Sequence, residues 1–293
     1  MGLLNRPKAG LRRRFAQSAV LAASLLFLGA CSAETSAQWR NLAMPDPGTE
    51  ESQGIFDLWI WAWVAAMVTG VVVWGLIGWV VVRYRRRSND EIPVQTRYNL
   101  PLEIFYTIFP ILMVIVFFYW TVNVQNDVLS EDKKADHTVV VVGQQWSWTF
   151  NYADEAAVDA ANVYTSGTGA IIPTLYLPVD ETTRFELRSP DVIHSFWIPG
   201  FLMKMDVIPG QENHFQVTPR EEGDYVGKCA ELCGTYHSRM LFNVKVVSRA
   251  EYDAHLKDLE SQGFASQAPV IGGKYADTVV GGEADGADQG GAE

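Results

Sequence analysis

Residues 55–82 read IFDLWIWAWVAAMVTGVVVWGLIGWVVV, and their only ionisable side chain is Asp57, near the start. An α-helix rises about 1.5 Å per residue, so about 25 apolar residues cross the ~30 Å hydrocarbon core of a bilayer. This stretch therefore predicts a transmembrane helix. A second run, residues 100–122, carries Glu103 alone and closes on Phe117, Phe118, Tyr119 and Trp120, the aromatic content that gathers at a membrane–water boundary. Between the runs, residues 83–99 hold Arg83, Arg85, Arg86, Arg87 and Arg97 against Asp90 and Glu91. A basic excess of this kind marks a cytoplasmic loop. Residues 31–54 and everything after residue 122 are then expected outside the cell, on a multi-pass protein of a bacterial plasma membrane. Glu103 has two accounts, a carboxylate turned toward the headgroups or the start of a proton or ion path, and spacing alone does not choose between them.

Residues 1–30 have five basic and no acidic residues, then an apolar run from Ala19 to Leu28. That is the layout of a signal peptide. Leu28-Gly29-Ala30-Cys31 resembles the lipobox at which bacteria cleave and attach lipid, so a lipidated Cys31 is expected at the start of the exported segment 31–54. An ordinary signal peptide followed by an unmodified cysteine is the alternative.

The composition narrows the class. Across 293 residues the hydrophobic share is 48% and the aromatic share 12%, which excludes general disorder. The net charge of −11 argues against attraction to nucleic acid and favours a basic partner. Three cysteines are too few for a disulfide framework, and two of them lie four positions apart.

In residues 123–262 the pattern turns to short alternating runs: Thr138 to Val142, Trp146 to Tyr152, Ile171 to Leu177, Thr183 to Leu187, His214 to Val217 and Leu241 to Val247. Turn formers such as Ser189-Pro190-Asp191 and Ile208-Pro209-Gly210 separate them. Many short strands with regular turns predict an all-β sandwich or barrel. A helix is expected over Ala250–Gln262, and residues 263–293, rich in Gly, Ala and acidic residues, are expected to be disordered.

The chemistry concentrates in residues 229–240, Cys-Ala-Glu-Leu-Cys-Gly-Thr-Tyr-His-Ser-Arg-Met. Two thiols, an imidazole and a thioether within twelve positions form a soft ligand set that favours copper over Mg or Ca. Zinc has no need of Met240, and the spacing is unlike a zinc finger. A Cys229–Cys233 disulfide would suit an oxidising compartment but explains neither His237 nor Met240. A mononuclear blue-copper site takes one cysteine and two histidines, whereas two thiolates can bridge two coppers, each needing its own histidine. His214 lies within an alternating strand. His194 follows a turn between Ile193 and Phe196, a loop edge that suits a ligand.

These residues, with Asp191-Val192-Ile193-His194-Ser195-Phe196, Gln145-Trp146-Ser147-Trp148 and the two spans, resemble subunit II of haem-copper cytochrome c oxidase across about residues 50–260. The resemblance implies a two-helix transmembrane hairpin followed by a cupredoxin-like Greek-key barrel holding a binuclear CuA centre. By motif, Cys229 and Cys233 would bridge the coppers. His194 and Met240 would complete one, and His237 with the backbone carbonyl of Glu231 the other. Trp146 matches the residue through which electrons enter from a c-type cytochrome, although an aromatic of the barrel wall is its structural account. The Glu231 side chain matches a ligand of an Mg or Mn ion between subunits I and II. Glu103 matches the carboxylate at the mouth of the K proton channel. Asp191 is either part of an acidic docking surface or a turn residue.

The implied partners are subunit I with haem a, haem a3 and CuB, subunit III, membrane lipid, and a cytochrome donor that is free or held within a bc1-type supercomplex. The implied role is electron transfer within a proton-pumping oxidase that reduces oxygen to water. Gln144, Ser147 and Gln211 depart from the residues common in the family, which puts the entry region and the subunit contacts in question. No Cys-x-x-Cys-His occurs, so the donor haem is on another chain. A quinol oxidase subunit would lack the copper ligands, a copper carrier of the Sco type would carry a thioredoxin-like pattern, and a nitric oxide reductase subunit would share the motif.

Overall fold

The computed structural model describes residues 39–88, 92, 95–168 and 170–271. The expected signal peptide, the lipidation site at Cys31 and residues 272–293 of the expected tail lie outside the described residues. The chain divides into two compact units, residues 1–45 and 46–293. Of the first, residues 39–45 form a short turn closed by Leu42 N to Trp39 O at 3.3 Å.

In the second unit, helix α1 spans Ser52–Arg83 and helix α2 spans Leu100–Val128. Thr49 and Ser52 open α1 by exchange, each backbone N–H donating to the other's hydroxyl at 3.1 and 3.2 Å. Asn99 caps α2 by accepting from Leu102 N, and Pro101 sits in the first turn, where a missing N–H costs nothing. The most apolar stretch of each helix has no buried residue within the chain, so its apolar surface requires lipid or other helices. Among the described residues two helices could cross a membrane, so the multi-pass expectation reduces to two spans. Helix α2 runs six residues beyond the apolar run, through Asn123–Val128, and its last residue, Val128, is buried.

The rest of the unit is a two-sheet cupredoxin-like sandwich. One sheet contains β1 (His137–Gln144), β2 (Ser147–Ala153), β3 (Asn162–Ser166), β5 (Thr183–Arg188), β8 (Asn213–Val217) and β11 (Ala265–Ser266), in the order β11-β3-β2-β1-β5-β8. The other contains β4 (Thr174–Pro178), β6 (His194–Ile198), β7 (Met203–Val207), β9 (Gly223–Cys229) and β10 (Leu241–Val247), in the order β4-β10-β9-β6-β7. β1 runs parallel to β5 and β10 parallel to β4, while the other pairings are antiparallel.

The core lies between the sheets, where Trp148 and Phe150 of β2 meet Phe196 and Phe242, the last two stacked at 4.9 Å. Each such ring contributes about 1.5–3 kcal/mol by leaving water. Gly227 is required under this cluster, since a Cβ there would fall 2.0 Å from the Phe242 ring.

Three corrections concern strands and tail. β3, β6, β7 and β9 were not expected; β6 reads HSFWI, nearly all buried and without alternation. Ile171 and Ile172, expected to open β4, are exposed in the loop before it. The first residues of the tail expected to be disordered, 263–271, are instead ordered against the sandwich: they carry β11, and Val270 N donates to the buried Asn151 side chain at 2.7 Å. Ahead of it, α3 (Arg249–Ser261) packs Tyr252, Leu256 and Leu259 on the sandwich.

The sandwich is fastened to the start of α1. Gly48 N donates to Gly200 O at 2.9 Å, and Glu51 accepts from Thr218 N and Oγ1 at 2.9 and 3.1 Å. Glu50 adds an ion pair with Lys133 at 2.6 Å.

Candidate metal centre

Two segments at one end of the sandwich, the β9–β10 connection and the start of β6, bring the ligands together. β9 ends in Cys229, a loop carries Cys233, a 3-10 turn begins at His237, and Met240 precedes β10. Antiparallel pairing sets Phe196 opposite Cys229, which delivers His194, at the start of β6, to the same place. Gly234, directly after Cys233, takes φ +124°, a conformation that side chains disfavour.

The ligand atoms of His194, Cys229 and Cys233 lie within 4.8 Å of one another, and all three residues are buried. The two Sγ atoms are 3.8 Å apart, with no disulfide. His194 Nδ1 lies 3.9 Å from Cys229 Sγ, and His237 Nδ1 lies 3.5 Å from Cys233 Sγ. Met240 Sδ is 3.8 Å from Cys233 Sγ, and the Glu231 carbonyl oxygen is 3.2 Å from Cys229 Sγ. A pair of thiols with one imidazole beside each, and a thioether, is a soft donor set that fits copper.

The electrostatics favour a cation. Burial pushes the Cys229 thiol up, but hydrogen bonds from His194 and the surrounding backbone outweigh it and hold the thiol below its usual range. Burial and the neighbouring Cys229 push the Cys233 thiol up. One thiolate therefore forms readily and the second resists until positive charge arrives. Burial lowers the basicity of His194, but Cys229 and Asp191 together raise it.

Asp191 has a role that the sequence did not disclose. Its Oδ1 lies 2.9 Å from His194 Nε2, which turns Nδ1 toward the thiols. The same carboxylate accepts from Val192 N at 2.6 Å and Gln145 N at 2.7 Å. Gln145 Nε2 donates to Cys233 O at 2.7 Å, tying the β1–β2 turn to the ligand loop. The i, i+3 spacing of Asp191 and His194 is the available signal, whereas Gln145 is marked only by its place in the Gln145-Trp146-Ser147-Trp148 segment. Trp148 is fully buried, donates to Met240 O at 3.3 Å and lies edge-on to His194.

The other expected residues are distributed as follows. Trp146 is half-buried in the turn before β2 rather than in the strand, edge-on to Tyr236 at 5.0 Å. A Cβ on Gly234 would lie 3.1 Å from its ring, so the indole rests on the ligand loop. Glu231 is exposed. Glu103 stands in the first turn of α2, where its Oε1 accepts from Asn99 N at 3.1 Å, a local capping role. His214 is away from the centre, 3.1 Å from Glu131.

The family described as cytochrome c oxidase subunit II, periplasmic domain, matches residues 137–247. A probable cytochrome c oxidase subunit 2 of Streptomyces coelicolor is 45% identical, covering 90% of this chain and 92% of its own. The chain belongs to the cytochrome c oxidase subunit II family. The subunit 2 of Corynebacterium glutamicum is 32% identical over 90% of both chains. The crystal structure of the periplasmic domain of subunit II of Bradyrhizobium japonicum cytochrome oxidase is 29% identical, covers 45% of this chain and 99% of that one, and has a TM-score of 0.42. As a subunit II, this chain is part of a haem-copper oxidoreductase complex, with a candidate copper site in its β-rich domain.

Proposed function

We propose that this chain accepts electrons outside the bacterial plasma membrane from a c-type cytochrome at a CuA centre and passes them to haem a of subunit I. The observation that carries the proposal is the convergence of two free thiols, two imidazole Nδ1 atoms, a thioether and one carbonyl, with adjacent contacts no longer than 3.9 Å. A binuclear copper group held there would supply a one-electron store whose charge is spread over both metals. Cys229 and Cys233 would bridge, His194 and Met240 would complete one metal, and His237 with the Glu231 carbonyl the other.

The chain's own residues prepare this chemistry. Asp191 fixes the His194 ring, and Gln145 braces the Cys233 loop. Trp148, Phe196 and Phe242 wall off water, and a dry site keeps the cost of reorganisation low during transfer. Trp146 is assigned electron entry, since its indole lies on the ligand loop and is half-exposed. The exposed Glu231 carboxylate is assigned to an Mg or Mn ion facing subunit I, and Glu103 to proton entry from the cytoplasmic side. Cleavage of residues 1–30, lipid attachment at Cys31, contact with subunit III and proton pumping complete the proposal. The sandwich is unlike the thioredoxin-like fold of a copper carrier.

The test is Trp146→Ala in the assembled oxidase, with copper content and donor oxidation measured together. Slower electron uptake at unchanged copper content supports entry through Trp146. Unchanged uptake contradicts it, and joint loss of copper and uptake reassigns Trp146 to holding the ligand loop.

A further inference from the structure

A second feature lies on the outward face of the β7-β6-β9-β10 sheet. Antiparallel register sets Trp197 of β6 directly opposite Lys204 of β7 and Lys228 of β9, and Lys228 opposite Leu241 of β10. Paired residues share a face, so the four side chains form one row across four strands. The Lys228 ammonium stands 4.5 Å from the Trp197 ring centroid, and that of Lys204 5.8 Å. Both lysines are exposed, Trp197 is half-buried, and Val226 beside Lys228 is 68% exposed.

The charge of this row is at odds with the rest of the chain. The net charge is −11, yet among the described residues neither lysine is paired with a carboxylate, whereas Lys133 is paired with Glu50. The acidic side chains of the same face, Asp206 and Asp224, lie further along β7 and β9, outside the row. An aromatic centre flanked by cations and edged by Val226 and Leu241 has the make-up of an interface core, where Trp anchors carry much of the energy. Lys228 directly precedes Cys229, and alternation sends their side chains to opposite faces of β9. A partner seated on the row would therefore lie one strand away from the metal centre.

We infer that the Lys204–Trp197–Lys228 row docks a carboxylate-bearing surface of a neighbouring chain of the oxidase complex. The two ammonium groups meet the acidic side chains, and Trp197 with Leu241 and Val226 fills the apolar centre. This rests on membership of the complex but not on the identity of the metal.

The test uses the intact complex in two arms. Zero-length carbodiimide coupling joins a lysine to a carboxylate in contact with it, and peptide mapping then names the partner residues. In parallel, an amine-acylating reagent reports the accessibility of Lys204 and Lys228 before and after the chain is released by detergent and salt. Cross-links from either lysine to Asp or Glu of another chain, with loss of acylation in the complex, support the inference. Full acylation of both lysines in the intact complex overturns it, as does protection that persists after the chain is released. Lys204→Glu should weaken retention of this chain with the complex while its copper absorption is kept. Loss of that absorption in the unsubstituted chain would count against the metal reading alone, so the two failures are distinguishable.

Discussion

Replacing Asp191 by alanine should weaken copper binding without unfolding the domain. The carboxylate accepts from His194 Nε2 at 2.9 Å, Val192 N at 2.6 Å, Gln145 N at 2.7 Å and Ser189 Oγ at 3.2 Å, and its side chain is 29% exposed. Water can serve the backbone donors on the exposed side, but it cannot reach His194, which is fully buried. A hydrogen bond to a charged group contributes about 1.5–3 kcal/mol, and partial exposure brings the expected net loss to about 1–2 kcal/mol. At about 1.4 kcal/mol per factor of ten, copper affinity falls roughly five- to thirtyfold, in line with the 10–100-fold losses typical when a partner of a metal ligand is removed. Asp191→Asn, which keeps an acceptor oxygen but not the charge, should fall between alanine and the native residue. The assay is competitive titration against a chelator of known copper affinity, with circular dichroism to confirm folding. Affinity unchanged within about twofold in a folded Asp191→Ala protein would refute the claim that this carboxylate orients His194.

Other perturbations follow from the same contacts. Gly227→Ala puts a methyl group 2.0 Å from the Phe242 ring, so the urea midpoint should drop by the equivalent of about 1–3 kcal/mol, whereas Gly223→Ala on the same strand, whose Cβ would meet nothing closer than Tyr225 at 3.8 Å, should change it far less. Ending the chain after Gln262 removes β11 and leaves the buried Asn151 and Asn162 without Val270 N and Ser266 Oγ. Each lost hydrogen bond contributes about 0.5–1.5 kcal/mol, so chains ending at 262 and 271 should differ clearly in thermal midpoint. His137 is buried, which lowers its basicity, but hydrogen bonds and charge from Glu155 and Glu181 together raise its pKa above 6.5. Its contribution is thus complete below pH 6.5 and is lost as pH rises through the raised value, so the denaturation midpoint should fall over that range. His137→Gln should flatten that slope; an equal slope would assign it to other groups.

The two spans were legible because uninterrupted apolar runs leave few other interpretations. The ligand run was legible because five of its chemical groups fall between Cys229 and Met240, so no long-range contact had to be inferred. His194 is different: it joins the centre through the Phe196–Cys229 register, and only the turn before it hinted at the role. β6 is hidden in the sequence because four of its five residues are buried, and β9 because its exposed positions include Val226 and its buried ones Gly227, so residue type does not follow the alternation of the strand. Conversely, Ile171 and Ile172 look like a strand yet stand exposed in a loop. The orienting roles of Asp191 and Gln145 depend on where a turn aims its side chains, and residue order alone does not encode that. Glu103 stands out because a carboxylate beside an apolar run is unusual, and its bond to Asn99 N gives it a local capping role.

The central claim is tested most directly by loading the chain with copper, counting metal per chain and recording the electron paramagnetic resonance spectrum of the half-reduced protein, with His194→Ala and Met240→Ala beside it. Two coppers per chain, with one unpaired electron shared equally over both nuclei and that sharing disturbed in both variants, is the predicted result. One copper or none, or a spectrum unchanged in His194→Ala, would contradict a binuclear electron-accepting centre.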